Sequence, residues 1–271
     1  MLSLATNRIL PLLLMAAAAV FFLLLFVVLP ALIFLVSMWE KPRERPLVPA
    51  DADAAQGNSD TLNRIIADAT ARGFALLGVF SDGDKGFQQG IVRLLLSPDR
   101  AILVKTLYMK VSSRCLMISQ LPGDRWIITC DLVGTKDLSG LHAEEMLPGA
   151  NFAAMLLYHR QRLEAQPEPV VPFPANGLPE HLHRHGLLRY QTMQAAGLVS
   201  PVRDFSATWV YTARGAAQLA GAQIRTMFAM NRARELSNAK QAEADLAERS
   251  FPQPPVAGPA DGGAAEDAIA L

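Results

Sequence analysis

The residues best able to do chemistry lie close together: Glu180, His181, His183 and His185. On a helix, His181 and His185 fall at i and i+4 and share one face. That spacing can hold zinc or another borderline metal. His142 or His159 would supply a third ligand from elsewhere in the chain. The glutamate that stands between the paired histidines of a zinc protease is missing, and the first turns of an exposed helix also collect such side chains.

Cys115 and Cys130 form a second constellation, and a hairpin connects them. With a loop centred on Pro122-Gly123, Gln120 faces Arg125, and the same register sets Cys115 opposite Cys130. Met117 then meets Ile128, Ser119 meets Trp126 and Ile118 meets Ile127, while Arg114 meets Asp131 as an opposite-charge pair. This places the two thiols within disulfide reach. In a reducing compartment they stay free and pack as small apolar groups. Neither sits at a helix start or beside a histidine, which argues against a catalytic thiolate.

Other motifs are weak or missing. Asp82-Gly83-Asp84 opens like a calcium loop but lacks the distal glutamate, so it reads as a hairpin turn. There is no phosphate-binding glycine loop, no Gly-x-Ser-x-Gly elbow, no dinucleotide fingerprint and no carboxylate pair at acid–base spacing. From Tyr190 to Ala220 a helix runs through Ala196-Gly197-Leu198-Val199-Ser200 and a two-strand ribbon into Trp209-Val210-Tyr211-Thr212 and a further helix. This stretch resembles the end of a winged-helix domain and implies a nucleic-acid or protein contact module. Gln166–Pro174 interrupts the space where that pattern needs more helices. Arg184, Arg189, Arg203 and Arg214 give scattered positive charge rather than a stripe. With 25 basic against 25 acidic residues, bulk attraction to nucleic acid is not expected.

The elements that must position these residues follow an apolar N-terminal segment. From Ile9 to Trp39 no residue is charged, and most are Leu, Ile, Phe or Val. As one helix it would reach about 46 Å, against a hydrocarbon core near 30 Å. Pro11 and Pro30 would shorten or kink it. The segment lacks the short core and cleavage site of a signal peptide, which predicts an uncleaved, single-pass inner-membrane anchor contacting the lipid bilayer. Arg8 before it, and Lys41, Arg43 and Arg45 after it, favour a cytoplasmic C-terminal domain.

The chain then divides into a tail at 1–8, the anchor at 9–39, a Pro-rich linker at 40–58 and an α+β sheet domain at 59–165. A Pro-rich connector at 166–177, a helical, partly winged-helix-like part at 178–249 and a disordered tail at 250–271 complete it. Within the sheet domain a helix begins at Ser59 or Asp60, carries Leu62, Ile65, Ile66 and Ala69 on one stripe, and ends at Gly73. Strands follow at 74–80, 87–96, 101–109, 111–121 and 125–132, joined by Ser81–Asp84, Ser97–Arg100 and Pro122–Asp124 turns. An antiparallel meander of four or five strands is expected, packed on helices near 60–72 and 150–165. Helices are predicted at Asn151–Glu164, Pro179–Ala196 and Ala213–Arg249. The last third of the final helix is charged enough to be solvated or self-associating.

The expected function is therefore a non-catalytic adaptor or assembly component that presents a protein-binding α+β domain at the membrane. Two readings stand beside it. One is a membrane-anchored, zinc-dependent sensor or enzyme using His181, His183 and His185; the other is a membrane-tethered winged-helix-like regulator.

Overall fold

The apolar residues of the central region recur at period two with apolar side chains on both parities, so a sheet built from them has two faces to bury. The computed structural model describes residues 14–15, 17–22, 24, 28–39, 42–50, 60–81, 90–109, 112–131, 137–202 and 208–250. Its main sheet has seven strands in consecutive order: β1 (Val48–Pro49), β2 (Ala75–Ser81), β3 (Ile91–Leu96), β4 (Leu103–Met109), β5 (Ser112–Leu121), β6 (Arg125–Cys130) and β7 (His142–Met146). All neighbours are antiparallel except β6 and β7, which run parallel.

The expected four- or five-stranded antiparallel meander is thus corrected to a seven-stranded mixed sheet. Its added strands are the two edges. β1 is two residues long and contains Pro49, and β7 reads His-Ala-Glu-Glu-Met, too polar to signal a strand by itself. Short, proline-bearing or charged strands are what sheet edges tolerate.

The β5–β6 hairpin corrects the register by one residue. Leu121 pairs with Arg125 and Leu116 with Cys130, because Gly123 (φ 73°) and Asp124 (φ 57°) both adopt left-handed geometry and close a three-residue loop. A one-residue slip reverses the faces, so Cys115 lies in the helix-side core while Cys130 directs its thiol to the Glu145 carbonyl. The two cysteines form no disulfide. The expected Arg114–Asp131 pairing is replaced by a 2.9 Å hydrogen bond from the Cys115 amide to the Asp131 carboxylate.

One face is covered by α2 (Asp60–Ala71) and α3 (Phe152–Glu164). Leu62, Ile65 and Ala69 of α2, with Phe152 and Met155 of α3, pack on Leu95, Val104, Cys115 and Met117. Asn151 caps α3 by accepting from the Ala154 amide at 2.8 Å. The other face is covered by Phe173, Leu178 and Leu182, the last two on α4 (Leu178–Ala195), together with Leu47. A two-stranded ribbon, β8 (Val199–Pro201) and β9 (Trp209–Tyr211), leads into α5 (Ala213–Ser250). Ribbon, α4 and α5 share a third core around Tyr190, Met193, Trp209 and Leu219. The charged end of α5 docks on α3: Lys240 donates to Gln161, Gln161 to Glu243, and Ala244 is buried. The 203–207 turn of the ribbon, the Asp82-Gly83-Asp84 turn and the 251–271 tail lie outside the described residues.

The predicted transmembrane anchor over 9–39 is corrected. Among the described residues no helix is long and apolar enough to cross a membrane. Among the segment's described residues, 14–15 and 17–22 are helical, Leu24 and Val28 carry π-helical geometry, and helix α1 covers Leu29–Trp39. Phe34 of α1 packs on the ribbon core and Ser37 is buried, so part of the apolar run serves the fold. Residues 1–13 of the chain are outside the described set. The single-pass inner-membrane placement and the cytoplasmic orientation rested on that anchor and fall with it. The described part of the expected 40–58 linker is built into the domain: the Trp209 amide donates to the Pro42 carbonyl at 3.0 Å, Arg43 bridges Thr208, and β1 pairs with β2.

Gly215 sits where α5 meets the ribbon, and a Cβ there would collide with the Leu198 backbone carbonyl. Gly215→Ala is expected to lower unfolding free energy in urea by about 2–4 kcal/mol through forced separation of α5 from β8. Gly221→Ala, where a Cβ meets only an ordinary contact with the Arg225 side chain on the same helix, should be neutral or stabilising by up to about 1 kcal/mol. Equal effects of the two would refute the close contact.

Candidate functional site

Strand alternation sends Leu116 and Ile118 of β5, Trp126 and Ile128 of β6, and His142 and Glu144 of β7 to the same face. The register lines them up, with Ile118 beside Ile128, Ile128 beside Glu144 and Trp126 beside His142. Helix α4 crosses this face and presents Leu182, His185, Gly186 and Arg189 at helical spacing. Residues 43–47 pass over the opening without regular secondary structure. Between these elements lies a cleft of about 660 Å³. Its floor is apolar and its rim carries Arg43, Arg45, Lys105 and Arg189 against Glu44 and Glu144.

The three histidines of α4 are drawn to different partners. His181 bonds Gln120 through Nε2 at 3.0 Å, and its ring lies beside Trp126 and Phe173. His185 stacks on Trp126 with ring centroids 3.5 Å apart and shares a 2.9 Å Nε2–Nε2 hydrogen bond with His142. His183 lines the same cleft but pairs with a different element, its Nδ1 3.7 Å from a Glu44 carboxylate oxygen. They do not converge on one point, and among the described residues no group of three or more His, Cys, Asp or Glu is placed to hold a metal ion. His142 does join the cluster, as a partner of His185 rather than a third ligand.

A hydrogen bond between two imidazole nitrogens needs one donor and one acceptor. Glu144 lies 3.5 Å from His142 Nδ1 and favours a proton there. His142 Nε2 then accepts from His185 Nε2–H, leaving His185 Nδ1 unprotonated. Burial, with the nearby His142 and Arg189, pulls the His185 pKa down to about 3, so the ring is neutral. The Nδ1 atoms of His142, His183 and His185, the Trp126 indole nitrogen and Arg189 Nε are buried without hydrogen-bond partners. Three of these face a carboxylate at 3.5–3.7 Å, from Glu144, Glu44 and Asp137, which leaves His185 Nδ1 and the Trp126 indole nitrogen as the unsatisfied groups of the cleft.

Glu44 and Arg189 set the electrostatics. Burial raises the Glu44 carboxyl above its ordinary pKa, opposed by Arg189, Lys105 and His183. Burial lowers Arg189, but Tyr190, Asp137 and Glu44 outweigh it and hold its pKa above the ordinary value. Arg189 lies over the Tyr190 ring and 3.7 Å from the buried Asp137 carboxylate. Glu44 and Lys105 were invisible as site residues in the sequence; the only local signal was Gly186, an otherwise unexplained mid-helix glycine after three alternating histidines.

His159 belongs to a separate network on the other face of the sheet. Ser119 donates to the Ala101 carbonyl at 2.7 Å and therefore accepts from His159 Nε2 at 2.9 Å. Thr129 lies 2.9 Å from His159 Nδ1 and accepts from Arg162, also at 2.9 Å, so its own proton goes to the imidazole. Every polar atom of the ring is satisfied and the residue is fully buried, which marks a core histidine rather than a reactive Ser–His pair. No known protein family, curated protein or solved structure matches this chain.

Burial pulls the His159 pKa to about 3. The unfolded chain therefore takes up a proton near pH 6.5 that the folded chain refuses. The neutral ring's stabilisation is complete above that pH and is lost progressively as pH falls toward 3, at up to about 1.4 kcal/mol per pH unit. Denaturation of wild type and His159→Gln from pH 7 to 4 should show their stability difference shrinking with acid. A difference independent of pH would refute the buried neutral histidine.

Proposed function

We propose that this protein is a non-catalytic binding module whose cleft captures a small amphipathic organic anion, its apolar body on the sheet and its charged group at the Lys105–Arg189 end. The observation that carries this reading is the combination of an apolar floor, unpaired buried nitrogens and four permanent cations against two carboxylates on the rim. The volume falls in the range of about 300–1,000 Å³ usual for small-molecule sites. Binding is favoured over catalysis because, among the described residues, no hydroxyl or thiol lines the cleft beside the histidines. The zinc-sensor reading draws no support from histidine nitrogens already committed to Gln120 and His142. The adaptor role expected from the sequence would then be a response to ligand occupancy.

Trp126 lies in the cleft and supplies a readout. Titration of decanoate should change Trp126 fluorescence saturably, and Trp126→Phe should abolish that change. Decanol, of equal length without charge, should bind at least tenfold more weakly. Lys105→Met should weaken decanoate about ten- to hundredfold, the usual size of one charge-assisted contact. Equal binding of decanol and decanoate, or no binding of either, would sink the proposal.

A further inference from the structure

The cationic end of the cleft already holds a carboxylate. Glu44 lies in the stretch that spans the opening, and its side chain reaches the surface of α4, with His183 Nδ1 3.7 Å away. Lys105 from β4 and Arg189 from α4 act on it electrostatically. A Cβ on residue 186 would collide with this carboxyl, so the glycine leaves the space that the carboxylate fills.

We propose that Glu44 is a built-in occupant of the anion subsite, standing where the carboxylate of the ligand goes, and that the ligand enters by exchanging with it. The inference rests on the anion-binding reading and names its chemistry: a carboxylate held by Lys105, Arg189 and His183 above Gly186.

Three observations support exchange rather than a fixed ion pair. The stretch carrying Glu44 is tied down on both sides, by the Pro42 and Arg43 contacts with the ribbon and by β1, while Glu44 to Leu47 between them has no regular structure. Glu44 pairs only loosely with His183, at 3.7 Å. Its burial opposes the charged form, so the carboxylate occupies this place at a cost that solvent would relieve.

The test measures decanoate affinity of the full chain by calorimetry for wild type, Glu44→Gln and Gly186→Ala. Glu44→Gln removes the competing charge and should tighten decanoate about tenfold, since apparent affinity scales with the fraction of open sites. Gly186→Ala fills the space that either carboxylate would use and should abolish decanoate binding with a circular-dichroism spectrum like wild type; retained binding would overturn the shared subsite. Decyl phosphate serves as the second probe; a larger gain for it than for decanoate would overturn the carboxylate assignment. Wild-type binding that is unchanged or weakened in Glu44→Gln would overturn the exchange while leaving anion binding intact. Absence of binding in all three forms would overturn both.

Discussion

A sheet with apolar side chains on both faces cannot stand beside water, and that constraint governs the rest of this molecule. Helices α2 and α3 settle one face with a continuous core from Leu62 to Leu156. The other face is only partly covered, by Phe173, Leu178 and Leu182, where α4 crosses the strands. The space left beside the crossing is the cleft, and the residues flanking it are the polar ones. The site is thus a consequence of incomplete coverage by a helix whose facing side carries histidines, an arginine and a glycine instead of leucines.

Two buried histidines show how polar satisfaction separates scaffold from site. His159 and His185 are both held neutral with pKa values near 3. His159 has a partner on each nitrogen, and the chain from Arg162 through Thr129 to Ser119 ties α3 to β5 and β6. His185 has one partner, an aromatic platform beneath it and an empty Nδ1. The first arrangement is complete; the second leaves one buried nitrogen without a hydrogen bond.

Legibility followed the range of the interactions involved. Helices α2 to α5 and the five middle strands announce themselves through apolar period, caps and turns: Asp60, Asn151, Pro179, Gly73 and the Pro122–Asp124 turn. β7 was hidden because its five residues alternate around two glutamates and it joins the sheet parallel, through pairing that leaves no local trace. The hairpin register was missed by one residue because Asp124 adopts a left-handed conformation that only the closed loop requires. The apolar run before Trp39 suggested a membrane span, yet among the described residues no helix is long and apolar enough to cross a membrane, and Phe34 packs on the ribbon core.

The histidine spacing on α4 was readable from the chain, since i and i+4 share a face on any helix. That the three rings part toward Gln120, His142 and Glu44 was not, because those partners come from β5, β7 and the segment after α1. Element type and facing stripe are decided by residues within a turn or two of one another, and the sequence alone determined them. Which side chains share a cleft depends on strand order, register and the line along which α4 crosses the sheet. Those are set by long-range packing, and only the tertiary structure decided them.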